Sequence, residues 1–315
     1  MRTYLFRRLF QGVVVLFVVS VAIFVIVHAA PGGPALLNQP DMDPSVAREM
    51  RGLLGLDDPL PVQYGRWIRN ALGGNFGRSY QHSLPTSQLV AERIPNTLLL
   101  SGTALVLAVV LAVPLGTISA VYRYSWLDYV ATVVAFAGVS VPIFWLAILL
   151  IIVFSVQLGW LPSSGMVTVG TPFAVSDLLA HTVMPALVLA TFPLAQLTRY
   201  VRSNMVDVLA QDYIRTARAK GLPEVSLLAR HALRNALIPM LTVLGVLVPR
   251  LLGGAVITET IFAWPGLGRL AVDAAITRDY PVIMGVTLLV SGLVVASNLV
   301  TDLLYGVVDP RITLR

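Results

Sequence analysis

Apolar positions in this chain run on without interruption instead of recurring at helical or strand spacing. Scanning for largely charge-free stretches close to the ~20 residues a helix needs to cross a bilayer yields six candidates. They are roughly Leu9 to Ala29, Thr97 to Val121, Val130 to Leu158, Thr182 to Leu197, Leu237 to Ile257 and Val282 to Tyr305. Pro114, Pro142, Pro185, Pro193 and Pro249 fall inside these runs. Membrane helices tolerate such prolines because neighbouring helices satisfy the freed backbone groups. The first run follows Arg2, Arg7 and Arg8 and exceeds the length of a leader's apolar core, so it reads as a retained anchor.

Two polar stretches interrupt this pattern. Residues 31–96 form a long connection after the first run. A basic block, about residues 205–236, separates the fourth and fifth runs. Within it, Asp212 to Lys220 suits a helix with an acidic start, basic residues in its body and Gly221 after the last turn. Pro223 and Glu224 then open a second helix, making Gly221-Leu222-Pro223 a corner. In that second helix Val225, Leu228, Ala229, Ala232, Leu233 and Ala236 make one apolar stripe, with Arg230 and Arg234 facing away from it. Two readings fit: an amphipathic loop whose arginines touch lipid phosphates, or a helix-corner-helix knob that projects into a cytoplasmic partner.

Composition agrees with the pattern, since 57% hydrophobic and 12% charged residues lie outside the range of a soluble domain. Lysine and arginine then give the orientation. Thirteen lie in the pieces on the N-terminal side of the membrane and two in the short connections opposite, which predicts both termini in the cytoplasm. Residues 31–96 carry six basic and six acidic residues and become an external segment, a lid or docking surface. The net charge of +6 is largely this topological bias, so nucleic acid is not expected as a partner.

The chemistry that the chain lacks is informative. With no cysteine there are no thiolate metal sites or disulfides. A P-loop needs lysine after its glycine, whereas the only lysine, Lys220, precedes Gly221, so the chain is not its own ATPase. A proton- or sodium-driven carrier places carboxylates or histidines deep in the membrane. Here Glu259 and Asp302 sit near the ends of runs, and His28 and His181 near the outer face. There is no His-Glu-x-x-His or Gly-x-Ser-x-Gly motif, and His28, His82, His181 and His231 are too scattered for a metal site. No catalytic residue and no metal ligand is assigned. Arg250 is the exception within the runs, a charge mid-helix that must face protein or water. It is either paired within the bundle, for example with a carbonyl freed at Pro249, or lines a pathway and attracts a substrate carboxylate. "AWPGLG" reads as a tight turn at the outer end of the fifth run, and Tyr122, Tyr124, Trp126 and Tyr129 as an interfacial aromatic belt.

"DYIRTARAKGL" followed by "RHALRNALIP" resembles the cytoplasmic coupling loop of ABC importer permeases, in the form found in the dipeptide/oligopeptide group. Ala217 and Gly221 match the second alanine and the glycine of the family's pattern, while Arg215 and Thr216 replace its glutamate and first alanine. "RRLFQGVVVLF", "PGGPA", "LGLDDPLPVQYGRWIRNALGGNFGRSY", "RIPNTLLLS", "ETIFAWPGLGRLAVDAAITRDYP" and "NLVTDLLYGVVDPR" extend the resemblance in order along nearly the whole chain.

The resemblance implies an all-α membrane protein of six transmembrane helices with the type I ABC importer permease fold. Its parts would be an N-terminal tail and anchor (1–30), an external segment (31–96) and a transmembrane core (97–315). Arg215, Thr216, Ala217, Arg218, Ala219, Lys220, Gly221 and Leu222 would engage the ATPase. The implied partners are a homologous second permease, two ATPase subunits or one fused ATPase, an extracytoplasmic substrate-binding protein, and lipid. No cofactor is expected on this chain, with ATP and Mg held by the ATPases. The setting is a bacterial inner membrane and the cargo peptides; nickel chelates, glutathione or another small solute stand as alternatives within the family, and a secondary carrier or membrane enzyme outside it.

Overall fold

The computed structural model describes residues 2–31, 33–34, 37 and 42–308, and among them no strand forms. Helix α1 (Arg2–Ala29) carries the first apolar run. Two short helices follow within the polar connection, α2 (Pro44–Leu53) and α3 (Leu60–Leu72). The Asp43 side chain caps α2 by accepting from the Ser45 amide, and proline occupies the first turn of each helix, where no amide is missed.

The remaining long helices contain the expected apolar runs and extend beyond them into polar sequence: α4 (Thr86–Val121), α7 (Val175–Leu209), α11 (Ile238–Ile261) and α13 (Tyr280–Val308). Among the described residues, four helices are long and apolar enough to cross a membrane as single rods, α1, α4, α7 and α13. A fifth counts if the two parts of α11, which bend by 45° between Val243–Leu251 and Gly253–Ile261, make one span. Pro249 cannot donate to the carbonyl four residues back, and Gly253 and Gly254 offer little resistance to bending, so the bend falls where the sequence weakens the helix. The third expected run is divided. Helix α5 (Trp126–Ser140) stops before Pro142, α6 (Ile143–Leu150) restarts after it, and a π-helical segment (Ile151–Gln157) completes the run. Proline lacks an amide and forces its predecessor out of helical geometry, which explains the division. The tail holding Arg311 and Arg315 lies outside the described residues.

Two compact units emerge. One contains the described residues up to Leu98 together with 264–299. Its core packs Leu89 and Val90 of α4 against Val282 and Val286 of α13 and against Leu267, Leu270 and Ala274 of α12 (Leu267–Ile276). A second cluster joins Phe24 and Val27 of α1 to Tyr280 and Met284, with Tyr64 and Trp67 of α3 alongside. The turn ahead of α12 is fixed by side-chain bonds. The Trp264 indole donates to the Asn96 carbonyl at 3.0 Å, the Asn96 amide to the Pro265 carbonyl at 2.8 Å, and the Leu267 amide to Thr97 Oγ1 at 2.8 Å.

The other unit contains residues 99–263 and, of the described residues after them, 300–308, and is centred on α7, against which α5, α6 and α11 pack. Close approach here depends on small residues, as expected where lipid removes the hydrophobic drive between helices. A Cβ on Gly116 of α4 would lie 2.8 Å from the Thr198 carbonyl and 2.7 Å from Val201 Cβ on α7. One on Gly245 of α11 would lie 1.9 Å from Thr301 Cγ2 on α13.

Candidate functional site

The basic block folds as the corner its residues predict. Helix α8 (Asp212–Ala219) ends in Lys220, and Gly221 follows with φ +78°. The Gly221 amide donates to the Arg218 carbonyl at 3.0 Å and the Leu222 amide to the Ala217 carbonyl at 3.4 Å. These paired bonds define a Schellman stop, whose left-handed residue is usually glycine because a side chain there meets its own backbone. Pro223 then precedes the short helix α9 (Glu224–Ser226), so proline sits at the cap, one position earlier than the first turn.

The second arm departs from simple α-helical spacing. After α9 comes a π-helical segment (Leu227–Leu233), then the short helix α10 (Arg234–Ala236) leading into α11. Each π turn takes in an extra residue, so the inward positions shift to a five-residue step. Leu227 and Ala232 are buried, Leu228 and Leu233 half-buried, and Ala236 is buried again. Val225 and Ala229, expected on the apolar stripe, are exposed. Arg230 and Arg234 are exposed, as expected.

The corner is braced and presented. The Arg218 guanidinium bonds to the Glu224 carboxylate across it at 2.6 Å, and holds that carboxyl below its ordinary range. Arg215 pairs with Asp212 at 2.5 Å, with both side chains largely in solvent. Ile214 is fully buried and anchors α8, and the Asn235 amide donates to the Tyr213 hydroxyl at 3.0 Å, tying the two arms together. Arg215, Thr216, Arg218, Ala219, Lys220 and Gly221 face outward, while Ala217 and Leu222 are half-buried. Arg215 to Leu222, the residues expected to engage a partner, thus run along α8 into the hydrogen-bonded turn at Gly221.

A second polar centre lies in the same unit. Asp128 of α5 is buried, and both of its oxygens receive the fork of Arg202 on α7, at 2.8 and 2.7 Å. Ser119 of α4 also donates to Asp128, and the Tyr124 amide adds a bond at 3.0 Å, with Tyr124 itself at φ +64°. One carboxylate thus clamps three helices and the α4–α5 turn. Sequence reasoning passed over this group. The available signal is that Asp128 is the only acidic residue between Glu92 and Asp177. The flanking aromatics Tyr122, Tyr124, Trp126 and Tyr129 are all more than half exposed, as an interfacial belt requires. Arg250 of α11 is exposed, with its guanidinium 4.3 Å from the centre of the Phe192 ring on α7. That is a cation–π contact between two helices.

Comparison with known proteins bears on the whole chain. The family model described as "Binding-protein-dependent transport system inner membrane component" matches residues 112–314, and the corresponding N-terminal model matches residues 1–101. The chain is 47% identical to the oligopeptide transport system permease protein AppB of Bacillus subtilis (strain 168), with 99% of each chain covered. It is 43% identical to the glutathione transport system permease protein GsiC of Escherichia coli O1:K1 / APEC, again over 99% of each. Among solved structures, a chain of the MetNI methionine ABC transporter in an inward-facing conformation is similar with a TM-score of 0.58. That match covers 70% of this chain and 97% of the other at 20% identity, a likeness of fold.

Proposed function

We infer the function from the family: the chain belongs to the binding-protein-dependent transport system inner membrane components, and it is a transmembrane permease subunit of an ATP-driven ABC importer for peptides. The observation that carries this reading is end-to-end identity of 47% with an oligopeptide permease. Identity of 43% with a glutathione permease keeps the cargo within the peptide class, since glutathione is itself a tripeptide. The protein is a multi-pass component of the inner membrane that works with ATPase and substrate-binding subunits.

The finer assignment is our proposal. A homologous second permease completes the pathway, and two ATPase domains dock on the cytoplasmic side, where both termini of this chain also lie. ATP and Mg belong to those domains, because this chain has no P-loop lysine. The knob from Arg215 to Leu222 seats in the ATPase. Its Schellman stop and the Arg218–Glu224 brace support this reading, because a rigid corner transmits displacement whereas a flexible one absorbs it. Closure of the ATPases on ATP then swings the helices between two states, biased from the other side by the loaded binding protein.

The test is reconstitution. The chain, its co-encoded permease and ATPases, and the binding protein in liposomes should import a radiolabelled dipeptide or tripeptide only with internal ATP. Uptake by this chain alone would instead reveal a secondary carrier.

A further inference from the structure

A chain of hydrogen bonds leads from the second polar centre to the corner at Gly221. Arg202 and Asn204 lie close together near the end of α7 and tie it to different elements. Arg202 reaches Asp128 of α5 with two prongs, at 2.8 and 2.7 Å, and Ser119 of α4 at 3.1 Å. The Asn204 amide donates to the Ala236 carbonyl at 3.2 Å, at the break between α10 and α11. Beside it, the Asn235 amide donates to the Tyr213 hydroxyl of α8 at 3.0 Å. Tyr213 stands just ahead of Arg215, where the segment expected to engage the ATPase begins. Both α7 and α8 also pack against the π-helical segment of the second arm.

The joint at Asp128 resists opening. Its side chain is 5% exposed, and its two oxygens accept from Ser119, from the Tyr124 amide and from both prongs of Arg202. Turning or sliding α7 against α5 would break the prongs together and strand a buried carboxylate, which is costly without its partner. Close packing secures the same joint one turn away, where Gly116 of α4 leaves no room for a side chain against Thr198 and Val201 of α7. Flexure is easier elsewhere in this unit. Pro142 divides α5 from α6, and α11 bends by 45° between Leu251 and Gly253.

We propose that Asp128 and Arg202 are positioning residues for transport, given the function inferred above, in which the loop from Arg215 to Leu222 takes up the ATPase stroke. They hold the joined ends of α4 and α5 to α7 and to that loop, so ATP-driven closure moves these parts as one rigid body. The helices then flex at Pro142 and within α11.

The chain has no cysteine, so spin labels can be placed in pairs on the complete importer in nanodiscs. Tyr129→Cys on α5, Val225→Cys on the second arm and Val156→Cys beyond the Pro142 division all fall at exposed positions outside the clamp and the loop. Between the nucleotide-free state and the state trapped with ATP and vanadate, the distance from position 129 to position 225 should change by less than about 2 Å, the scale of a small helix shift. The distance from 156 to 225 should change by more. A 129–225 distance that follows the nucleotide would overturn the rigid body, as would a 156–225 distance that stays equally fixed while peptide is imported. Asp128→Asn with Arg202→Met strands no charge, keeps an acceptor for Ser119 and the Tyr124 amide, and removes both prongs. In that double variant, folded by circular dichroism, ATP hydrolysed per peptide imported should rise by about threefold or more, within the range of mutations along a coupling network, and the 129–225 distances should broaden. Wild-type stoichiometry and distances there would reduce the pair to a structural tie. Should the double variant not fold, the distances in the labelled importer with the clamp intact still decide. ATP-driven dipeptide uptake is measured in parallel. Its absence in the wild-type importer removes the transport reading and this role with it, whereas uptake with a nucleotide-dependent 129–225 distance removes the rigid body alone.

Discussion

Arg202 and Asp128 meet through two parallel hydrogen bonds, 2.8 and 2.7 Å long, and so join α7 to α5 close to the block that forms the knob. The Asp128 side chain is 5% exposed and that of Arg202 31%, so removing one partner strands a charge. Loss of one member of such a pair costs about 3–5 kcal/mol. Asp128→Asn and Arg202→Gln should each lower the thermal midpoint in detergent sharply, and the double variant should lose less than their sum. Arg202→Lys should also fail to restore the wild-type midpoint, because a single ammonium cannot make the two-pronged contact. Additive losses would mean that the two residues act separately.

Gly221 is required by the backbone rather than by space. No atom lies within 4 Å of a Cβ built there, yet φ is +78°. A branched side chain in that region costs about 1–2 kcal/mol, whereas asparagine tolerates it. Gly221→Val should therefore reduce ATP-driven uptake while the membrane helices stay folded by circular dichroism. Gly221→Asn should retain about half or more of the uptake. Equal failure of both variants would show that a partner surface, not the turn, excludes side chains at this point.

The brace across the corner separates two roles for Arg218. If it stiffens the knob, Arg218→Glu and Glu224→Arg should each impair uptake, and the double exchange should restore it. A double exchange as inactive as Arg218→Glu alone would assign the guanidinium to the partner instead. The pH dependence follows from the lowered Glu224 carboxyl. The bridge is fully present above the ordinary value of 4.5 and is lost as pH falls through the lowered one. Carboxyl-carbon NMR on Glu224 should report a midpoint below 4.5, rising towards it in Arg218→Met.

Two glycines make opposite predictions about rescue. A Cβ at Gly116 meets the Thr198 carbonyl, which no side-chain change can remove, whereas one at Gly245 meets mainly the Thr301 side chain. Each alanine substitution should cost about 1–3 kcal/mol through overpacking. Thr301→Ala should recover part of the loss from Gly245→Ala, and Val201→Ala should not recover that from Gly116→Ala. Thermal midpoints of the four single and two double variants decide it.

What the sequence made legible follows from the reach of each signal. The apolar runs located α1, α4, α7 and α13 because burial in lipid demands unbroken hydrophobicity over a fixed length. The Gly221 corner was legible because one residue type dominates the left-handed stop. The division at Pro142 was less so, since a proline within an apolar run predicts either a tolerated kink or a break, and the outcome depends on which neighbours satisfy the freed carbonyls. The π-helical segment at Leu227–Leu233 moved Val225 and Ala229 out of the apolar stripe because a five-residue step is invisible to a search at 3.6. The Asp128 clamp and the Asp279–Ser79 hydrogen bond were not legible. Their partners lie 74 positions away at Arg202 and 200 away at Ser79, and no local pattern connects them.

Arg250 offers the remaining test, on whether an exposed charge on a membrane helix serves structure or transport. Its guanidinium lies over Phe192, a contact that accounts for part of the cost of placing it there but leaves its five hydrogen-bond donors available. If those donors face the pathway, a substrate carboxylate gains from them, and Arg250→Gln should lower uptake of free-acid peptides by about tenfold relative to their C-terminal amides. Phe192→Leu removes the ring but leaves the charge, so it should lower stability modestly, by about 0.5–1 kcal/mol, without changing that ratio. Uptake of free acid and amide by paired isotope labels, at saturating binding protein, measures the ratio directly. An unchanged ratio in Arg250→Gln, together with a drop in thermal midpoint like that of Phe192→Leu, would assign Arg250 to the bundle alone.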